Sequence, residues 1–553
     1  MQTSATPFQS QQRHSPGLAG LLGAFLQSPW SLVLAVILAF FLGSNTLPLT
    51  DVDEGAFSEA TREMLARGNL VSPTLNEQPR HDKPILIYWA QAASVSLLGT
   101  SEFAFRLPSL LASLLWLWAL YRFCLRHGDR RHAQLSSLIM VLSAQVGLIA
   151  KAAIADALLN LFIALALLWI YDFYCLARQA ASPERIRRLL LAIYAALGLG
   201  FLTKGPVAVF LPLLVSGLFF VSAGAWRDWL RAAVDRRGWL LFLAIVLPWH
   251  VLVYLDQGDA FFRGFYLQHN LNRYASTFEG HGGNPFYYLA ILPLILLPFS
   301  GWLPAIAGVL WRKLKSSGSR FSLERYLLIW FGVVFIFFSF SRTQLPHYLL
   351  YGCTPLFILL GRHRSSDGRR WLAMAPVILM AVFLVALPLV LDIAAGLSSR
   401  PLEQMVIGEL AQAFDDWSSG VFIAWLAALL GLAFWRALPV WQALLLAGLL
   451  QAAVFSSLVL PRLLAVTQEP VRHAAWLARQ YGGEVVAWRL NQPSFSVYRD
   501  AVTTARLPGA GELALTRTDR LDELARALAP LPFSEVYRRG HVALVRVGEV
   551  GQP

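Results

Sequence analysis

The segment from Pro48 to Trp89 holds the residues whose types and spacing are best suited to chemistry. It follows the first apolar run and is the most acidic part of a chain whose formal net charge is +13. Its acidic residues are Asp51, Asp53, Glu54, Glu59, Glu63, Glu77 and Asp82. Lys and Arg set the orientation of a membrane protein, so carboxylates at a membrane exit need another explanation. We interpret them as catalytic or metal-binding.

An alternative is that the carboxylates of residues 51–54 cap the helix that follows, since Asp is favoured at such a position. One cap needs one carboxylate and three are present, so the pattern favours catalysis or metal binding. The apolar spacing after Glu54 predicts an amphipathic helix over residues 54–66, lying on the membrane surface. Residues 85–99 form a second apolar segment that is short for a span, and we expect it to be interfacial or re-entrant.

The composition of the whole chain indicates that the acidic segment belongs to a membrane protein. Hydrophobic residues make up 56% of the 553 residues and charged residues 14%, whereas a soluble domain carries about 25% charged residues. The basic residues fall in short clusters between apolar runs, which is the pattern that sets topology and argues against a nucleic-acid partner. The three cysteines have no metal or disulfide spacing and are interpreted as core residues.

The predicted fold class is an all-α polytopic membrane protein with about 13 transmembrane helices. We assign residues 1–29 to a cytoplasmic arm and 30–461 to the transmembrane domain, with 48–103 as its first periplasmic loop. Alternating basic clusters place this loop outside. Residues 462–553 alternate helix-like and strand-like patterns, which predicts a small external α/β or α+β domain for support or acceptor docking.

Several ionisable or aromatic residues on the external side lie at the predicted depth of lipid headgroups, where they are functional candidates. They include Asp53, Glu54, Lys83, Asp156, Lys204, His269, Arg273, Arg342, His347 and Tyr348. Each has a structural alternative. Lys204 could snorkel to the interface, and Asp156 could be a stabilised carboxylate at a helix start. Tyr348 fits an aromatic belt, and His347 lacks the neighbours of a metal ligand.

Five segments, in this order, resemble a known family: DVDEGAFSEATREMLARGNLVSPTLNEQPRHDKPILIYW, KAAIADALL (151–159), LTKGP (202–206), FYLQHNLNRYASTFEGHGGNPFYYL (265–289) and SRTQLPHYLLYGCTPL (341–356). The family is the C-type (GT-C) lipid-phosphosugar-dependent glycosyltransferases. The chain is most similar to the transferases of 4-amino-4-deoxy-L-arabinose to lipid A and to the dolichyl-phosphate-mannose-protein mannosyltransferase type. It departs from the arabinose transferases at Gly55-Ala56-Phe57, where they usually have Pro-Arg-Tyr.

The resemblance implies transfer of a sugar from undecaprenyl phosphate to a lipid A phosphate, with inversion at the anomeric carbon. The sugar that it implies most strongly is 4-amino-4-deoxy-L-arabinose. The reaction would occur on the periplasmic side of a bacterial inner membrane, with lipid A or another envelope acceptor as partner. The implied donor-phosphate residues are Lys83, Arg273 and Tyr348, with Lys204 and Arg342 in reserve. The implied catalytic residues are Asp53, Glu54 and Asp156. A divalent metal ion would be held by Asp53, Asp156 and His269.

Other functions remain open at this point. One is transfer of a hexose or mannose from a polyprenyl phosphate to protein or another envelope glycan. Others are a lipid-sugar transporter or flippase, and a scaffold or sensor. Transporters usually place charges near the bilayer midplane and show internal repeats. Convergence of the candidate residues in one external cavity would therefore favour transfer, and a path through the membrane would favour transport.

Overall fold

The computed structural model of the chain describes residues 17–179, 181–272, 284–316, 322–364 and 369–548. In the first half, the helices are α1 (Leu18–Gln27), α2 (Pro29–Val36), α3 (Asp53–Arg67), α4 (Leu86–Leu98), α5 (Glu102–Arg126), α6 (Arg130–Leu142), α7 (Ala144–Ala150), α8 (Asp156–Arg178), α9 (Pro183–Lys204), α10 (Val207–Ser222), α11 (Trp226–Ala233), α12 (Arg236–Gln257) and α13 (Ala260–Phe262). Two short strands, β1 (Thr74–Leu75) and β2 (Gln78–Pro79), pair between α3 and α4.

In the second half, the helices are α14 (Tyr287–Ile295), α15 (Leu303–Ser316), α16 (Ser322–Ser339), α17 (Thr354–Arg362), α18 (Arg370–Leu397), α19 (Pro401–Ala413), α20 (Asp416–Phe434), α21 (Val440–Val454), α22 (Leu460–Thr467), α23 (Glu469–Tyr481), α24 (Pro493–Arg499) and α25 (Leu521–Leu528). Segments of π-helix are Ile37–Phe41, Arg263–Asn272 and Phe455–Val459, and 3-10 segments are Ser300–Trp302, Pro346–Gly352 and Thr518–Arg520. The chain is thus mostly helical.

Seven helices of the described residues are long and apolar enough to cross a membrane, or up to ten if each bent pair of helices is one span. The protein is therefore a multi-pass membrane protein. The predicted number of about 13 spans is not confirmed. One reason is that two of the predicted spans turn sharply, by 71° between α6 and α7 and by 111° after α14.

Antiparallel packing of α8 and α9 places two charged residues at the same end of the spans. The two helices pack against each other along the core, and α8 also packs against α5. Since α8 begins at Asp156 and α9 ends at Lys204, both residues lie at one end of this pair. The start of α5 lies at that end as well, because Ser109 of α5 donates to the carbonyl oxygen of Ile154, two residues before α8 begins. The carboxylate of Glu102, the first residue of α5, contacts Arg472 of α23 and Tyr498 of α24.

Helix α3 has the position along the chain that its spacing predicts, but it does not lie on a surface. Every residue from Glu54 to Met64 is buried. The charged side chains of this buried stretch are paired internally: Arg62 donates to both oxygens of Glu59, and Glu63 accepts from Thr74 Oγ1 and Asn76 N. The polar stripe that we interpreted as facing water or headgroups is therefore satisfied inside the protein, and burial raises the pKa of Glu59 to about 7 although Arg62 opposes the rise.

The last part of the chain forms a five-stranded sheet between helices. Its strands are β3 (Val485–Ala487), β4 (Thr504–Ala505), β5 (Leu513–Arg517), β6 (Phe533–Arg539) and β7 (Val542–Val547), in the order β4-β3-β5-β7-β6. Alternate residues of β5 and β7 face opposite sides, as the period of a strand requires. One face packs on α23 and α24 and the other on α25, so apolar cores lie on both sides of the sheet.

Helix α24 docks this part of the chain directly onto α3. The backbone N–H and the hydroxyl of Ser494 both donate to the carboxylate of Asp51, and the Tyr498 hydroxyl accepts from Leu49 N. A Cβ at Gly55 would lie 2.5 Å from Ser494 N and 2.2 Å from Asp51 Oδ1. Only glycine fits this close approach, which gives a structural reason for the departure from Pro at this position.

Candidate active site

A cavity of about 690 Å³ lies between the start of α3, the segment after β2, the adjoining ends of α8 and α9, and the 3-10 segment Pro346–Gly352. Its lining includes Asp53, Phe57, Arg80, His81, Asp82, Lys83, Asp156, Lys204, His347, Tyr348 and Asn491. Five of the residues predicted to form the site therefore share one cavity: Asp53, Lys83, Asp156, Lys204 and Tyr348. This convergence at one end of the spans favours group transfer over transport.

Asp53 is the first residue of α3, and its side chain is exposed to the cavity. It makes no ion pair or hydrogen bond with any described residue, whereas the other two carboxylates of the cavity are paired. At the start of a helix, its negative charge is stabilised by the helix dipole. Its carboxylate is therefore available to a ligand, either to accept a proton or to bind a positive charge.

Arg80, Asp82 and Lys83 form a charged group on one wall. Arg80 donates to Asp82 at 3.1 Å and to the Tyr88 hydroxyl at 3.0 Å, with its guanidinium 5.3 Å from the centre of the Phe57 ring. Lys83 Nζ is 3.2 Å from Asp82 Oδ1 and 3.0 Å from the Asp82 carbonyl oxygen. Among the described residues, two cations thus share one carboxylate, a balance of charge that suits a phosphate.

The opposite wall holds a second charged group, at the adjoining ends of α8 and α9. Asp156 Oδ1 accepts from Lys204 Nζ at 2.7 Å and from the Tyr351 hydroxyl, and His347 Nε2 is 3.5 Å from the same oxygen. The ammonium of Lys204 also lies 5.0 Å from the centre of the Tyr348 ring. Asp156 therefore neutralises and orients Lys204, and the tyrosine rings form a flat face beside it.

Glu54 lies outside this cavity, in a closed network with α5. Arg106 donates to both of its carboxylate oxygens at 2.9 Å, and Ala153 N and Thr50 N and Oγ1 donate as well. Burial opposes ionisation, but Arg106 and these donors hold the pKa of Glu54 below its usual value. All of its acceptor capacity is used, so we assign Glu54 to structure and not, as predicted from the sequence, to chemistry.

The structure gives a side-chain position for one of the other three predicted residues. Arg342 is exposed after α16 and is not part of the lining. Arg273 lies outside the described residues. His269 belongs to the π-helical segment Arg263–Asn272, but its side chain is also outside the described part of the chain.

The predicted metal set does not fit what surrounds Asp156. Within the described ranges, no group of three or more His, Cys, Asp or Glu side chains could hold a metal ion. Asp156 is already bound by an ammonium and a phenol, which are donors and not metal ligands. A divalent cation on the same oxygen would face the charge of Lys204 at close range.

Sequence reasoning missed several residues of this region. Arg80 and Asn491 line the cavity, Tyr351 binds Asp156, and Arg106 binds Glu54. Arg106 had a signal, because a charged residue inside an apolar run requires a partner. Arg80 also had one, two positions before Asp82 in the acidic loop. Asn491 had none, because it reaches the cavity from the terminal part of the chain.

The sequence was then compared with known proteins. A family model described as dolichyl-phosphate-mannose-protein mannosyltransferase matches residues 82–252. An uncharacterized protein of Aquifex aeolicus is 31% identical over 336 residues, which cover 60% of this chain and 72% of that protein. The undecaprenyl phosphate-alpha-4-amino-4-deoxy-L-arabinose arabinosyl transferase of Pseudomonas aeruginosa is 28% identical over 85% of each chain. This chain belongs to the C-type glycosyltransferases. The family predicted from the five sequence segments is confirmed.

The fold is shared with a solved member of this family. The crystal structure of ArnT from Cupriavidus metallidurans bound to undecaprenyl phosphate has a TM-score of 0.78 with this chain at 22% identity. The match covers 95% of this chain and 99% of ArnT, so it includes the part after the last span. As a member of the C-type glycosyltransferases, the chain is an enzyme, and the cavity around Asp53 is its candidate active site.

Proposed function

We propose that this glycosyltransferase moves 4-amino-4-deoxy-L-arabinose from undecaprenyl phosphate to a phosphate of lipid A. The reaction would take place at the periplasmic face of the bacterial inner membrane. The observation that carries the proposal is one carboxylate, Asp53, that has no ion pair or hydrogen bond among the described residues and faces a wall with two cations. Relatives with this activity, 28% identical over more than 80% of both chains, support the choice of sugar and acceptor.

The donor phosphate would lie against Lys83 and Tyr348. An ammonium and a phenol can hold the phosphate by charge-assisted and neutral hydrogen bonds, and Lys83 stabilises the charge that collects on the phosphate as it leaves. Lys204, oriented by Asp156, is a further donor to this phosphate. We extend the proposal to Arg273 on family resemblance alone. Arg342 and Glu54 have no role in the proposed binding of the donor phosphate.

The transfer is a single displacement. The bond between the anomeric carbon and the carrier phosphate breaks, and its electron pair goes to the phosphate oxygen. An oxygen of the acceptor phosphate forms the new bond from the opposite face, which inverts the anomeric carbon. Because this oxygen is already ionised, no general base is needed. Asp53 would then bind the protonated amine of the sugar, whose positive charge its carboxylate matches.

A second activity, transfer of a neutral hexose such as mannose to a hydroxyl group, is favoured by a different observation. Residues 55–57 lack the Arg and Tyr of the arabinose transferases, and an apolar ring, Phe57, lines the cavity there. A hydroxyl acceptor must lose a proton, so in that reaction Asp53 would act as general base, a role worth about 10² to 10⁴ in rate.

The test is transfer by purified wild-type protein and an Asp53→Asn variant, with lipid A as acceptor and undecaprenyl-phosphate-linked 4-amino-4-deoxy-L-arabinose as donor. We expect the wild type to modify lipid A and the variant to be slower by about 10- to 100-fold, because it loses one charge-assisted contact to the amine of the sugar, worth about 1.5–3 kcal/mol. The product would be measured by mass spectrometry. A polyprenyl-phosphate-mannose donor, with a hydroxyl acceptor peptide, tests the second activity in parallel.

Asp416→Asn is the matched control, since Asp416 is also an exposed carboxylate at the first position of a helix, away from the cavity. It should transfer at the wild-type rate. Full activity of Asp53→Asn would remove Asp53 from the reaction. A wild-type protein that used only the mannose donor would replace the arabinose proposal with the second one.

A further inference from the structure

A second cavity, of about 470 Å³, lies at the other end of the spans. It is lined by Leu26, Gln27, Ser28, Pro29, Arg130, Arg131, Gln134, Leu135, Leu138, Arg364, Trp441 and Leu445. Helix α5 connects the two ends: it begins beside the terminal part of the chain and ends at Arg126, four residues before α6 begins at Arg130. The second cavity is therefore separate from the active site, on the side that the basic clusters assign to the cytoplasm.

The described charged residues that line this second cavity are all of one sign. They are Arg130, Arg131 and Arg364, and no carboxylate of the described ranges is part of the lining. Arg364 is 3.7 Å from Asp129, whose other oxygen accepts from the backbone of α6. Arg130 and Arg131 are exposed and have no ion pair with any residue in the described ranges. Three guanidinium groups with at most one carboxylate between them are suited to an anion with several oxygens.

The lining changes from charged to apolar along α6. Arg130 and Arg131 come first, Gln134 follows one turn later, and Leu135 and Leu138 lie beyond. Eight residues of helix extend about 12 Å, so the cavity is basic at its mouth and apolar about 12 Å further in. Leu26, Trp441 and Leu445 complete the apolar wall. A ligand that fills this space carries its charge at one end and hydrocarbon at the other.

The cavity also lies at the level of a membrane interface. Helices α1 and α2 meet at Ser28 with a bend of 74°, so α1 runs across the direction of the spans while α2 enters them. Trp30, just after the bend, is 70% exposed, and exposed Trp is typical of the interface. The corner of this bend, residues 27–29, is part of the cavity lining. The arginines are therefore at headgroup level and the leucines at the level of acyl chains.

We propose that this cavity binds an anionic phospholipid, with the phosphodiester held by Arg130, Arg131 and Arg364 and one acyl chain along Leu135 and Leu138. Basic pockets between transmembrane helices on the cytoplasmic side bind anionic headgroups in this way. A topogenic role alone does not require a cavity beneath the arginines or a hydrocarbon wall within it. The arginines at 185–188, which are exposed at the start of α9, have that simpler role.

The test is lipid binding by the full-length protein, purified in detergent and measured by native mass spectrometry. The probes are dioleoyl-phosphatidylglycerol, dioleoyl-phosphatidylethanolamine and undecaprenyl phosphate. The wild type should retain phosphatidylglycerol in preference to phosphatidylethanolamine. The triple variant Arg130→Gln/Arg131→Gln/Arg364→Gln should bind phosphatidylglycerol about 10- to 100-fold more weakly, given what each basic residue contributes near an anionic headgroup.

The matched control is Arg185→Gln/Arg187→Gln/Arg188→Gln, which removes the same charge from the same side and should leave binding unchanged. If the triple variant does not purify, Arg130→Gln/Arg131→Gln replaces it, since both side chains are exposed. Equal loss in the control, or none in the test variant, would reduce the cluster to a topogenic one. Loss of undecaprenyl phosphate without loss of phosphatidylglycerol would also overturn the proposal.

Discussion

Two adjacent carboxylates of the acidic segment 51–54 have opposite surroundings. Asp53 is on its open side, which faces the cavity, and Glu54 is on its closed side, which packs against α5. On the open side, Asp53 faces the cavity and makes no ion pair or hydrogen bond with the described residues. On the closed side, the Glu54 carboxylate accepts five hydrogen bonds from Arg106, Thr50 and Ala153. These two residues are adjacent in sequence, and their charges have different uses.

The geometry of a helix produces the difference. Successive residues of a helix with 3.6 residues per turn point about 100° apart, so at the start of α3 one carboxylate points to the cavity and the next to α5. Arg106 lies on α5 and also donates to the carbonyl oxygens of Ser44, Leu47 and Pro48. The ion pair thus fixes the chain between the first span and α3.

The largest expected effect is on the closed side, from Glu54→Gln. Removing this charge leaves Arg106 buried without its partner, which costs about 3–5 kcal/mol of stability. Thermal unfolding in detergent should show a large fall in Tm for Glu54→Gln and almost none for Asp53→Asn. Replacing both partners, in Glu54→Gln/Arg106→Met, should recover part of the loss, because no unpaired charge then remains.

Activity measured well below the unfolding temperature decides whether the two sides are separate. Folded Glu54→Gln protein should keep most of its transfer rate, because its carboxylate does not line the cavity. A variant with native Tm and no transfer would instead place Glu54 with Asp53 in the chemistry. The two carboxylates would then not divide into a chemical one and a structural one.

A smaller effect is expected on the open side, from Lys83→Ala. Lys83 would lose its charge-assisted contact to the donor phosphate, worth about 1.5–3 kcal/mol, which corresponds to a rise of about 10- to 100-fold in donor KM. Tm should change little, since the ammonium lies at the cavity wall. The measurement is initial rate against donor concentration. Lys315→Ala, at an exposed lysine outside the cavity lining, is the control, and an unchanged KM for Lys83→Ala would separate Lys83 from the donor.

Much of the open side could be predicted from the sequence, and the closed side could not. Charged residues at headgroup depth, such as Asp53 and Lys83, cost free energy unless they are paired or have a function. A charge next to an apolar run was therefore a sufficient signal of a functional residue. Whether a given carboxylate is used by substrate or by the protein depends on a partner far along the chain. Arg106 lies 52 positions from Glu54, and no periodicity links the two.

The fold shows the same limit. Hydropathy predicted membrane helices and their order, because burial in lipid needs long apolar runs. It could not predict where such runs bend, as at Ser143 between α6 and α7. It also placed α3 on a surface, because spacing along a helix reports which faces differ and not what covers them. The covering element, α24, comes from more than 400 residues later, through Ser494.

An effect that depends on pH concerns Asp51, which lies between the two sides and contacts the terminal part of the chain. Burial raises the pKa of Asp51 to about 7 from 3.8, although hydrogen bonds from Ser494 oppose the rise. Between these values the folded protein holds a proton that the unfolded chain has lost. The contribution of Asp51 to stability therefore falls as pH rises through this range, by at most about 1.4 kcal/mol for each pH unit, and is constant above it.

Asp51→Asn removes the ionisable carboxyl group, and the asparagine amide can still form hydrogen bonds with Ser494. We expect the Tm of the variant relative to that of the wild type to rise between about pH 4 and pH 7, since only the wild type has a carboxylate at position 51 to ionise at a cost. Asp416→Asn, at an exposed carboxylate, should show a constant difference over the same range. If the Asp51→Asn difference is also constant, the carboxyl of Asp51 ionises in the folded protein without a cost in stability. Asp51 would then resemble Asp53, on the open side of the segment, and not Glu54.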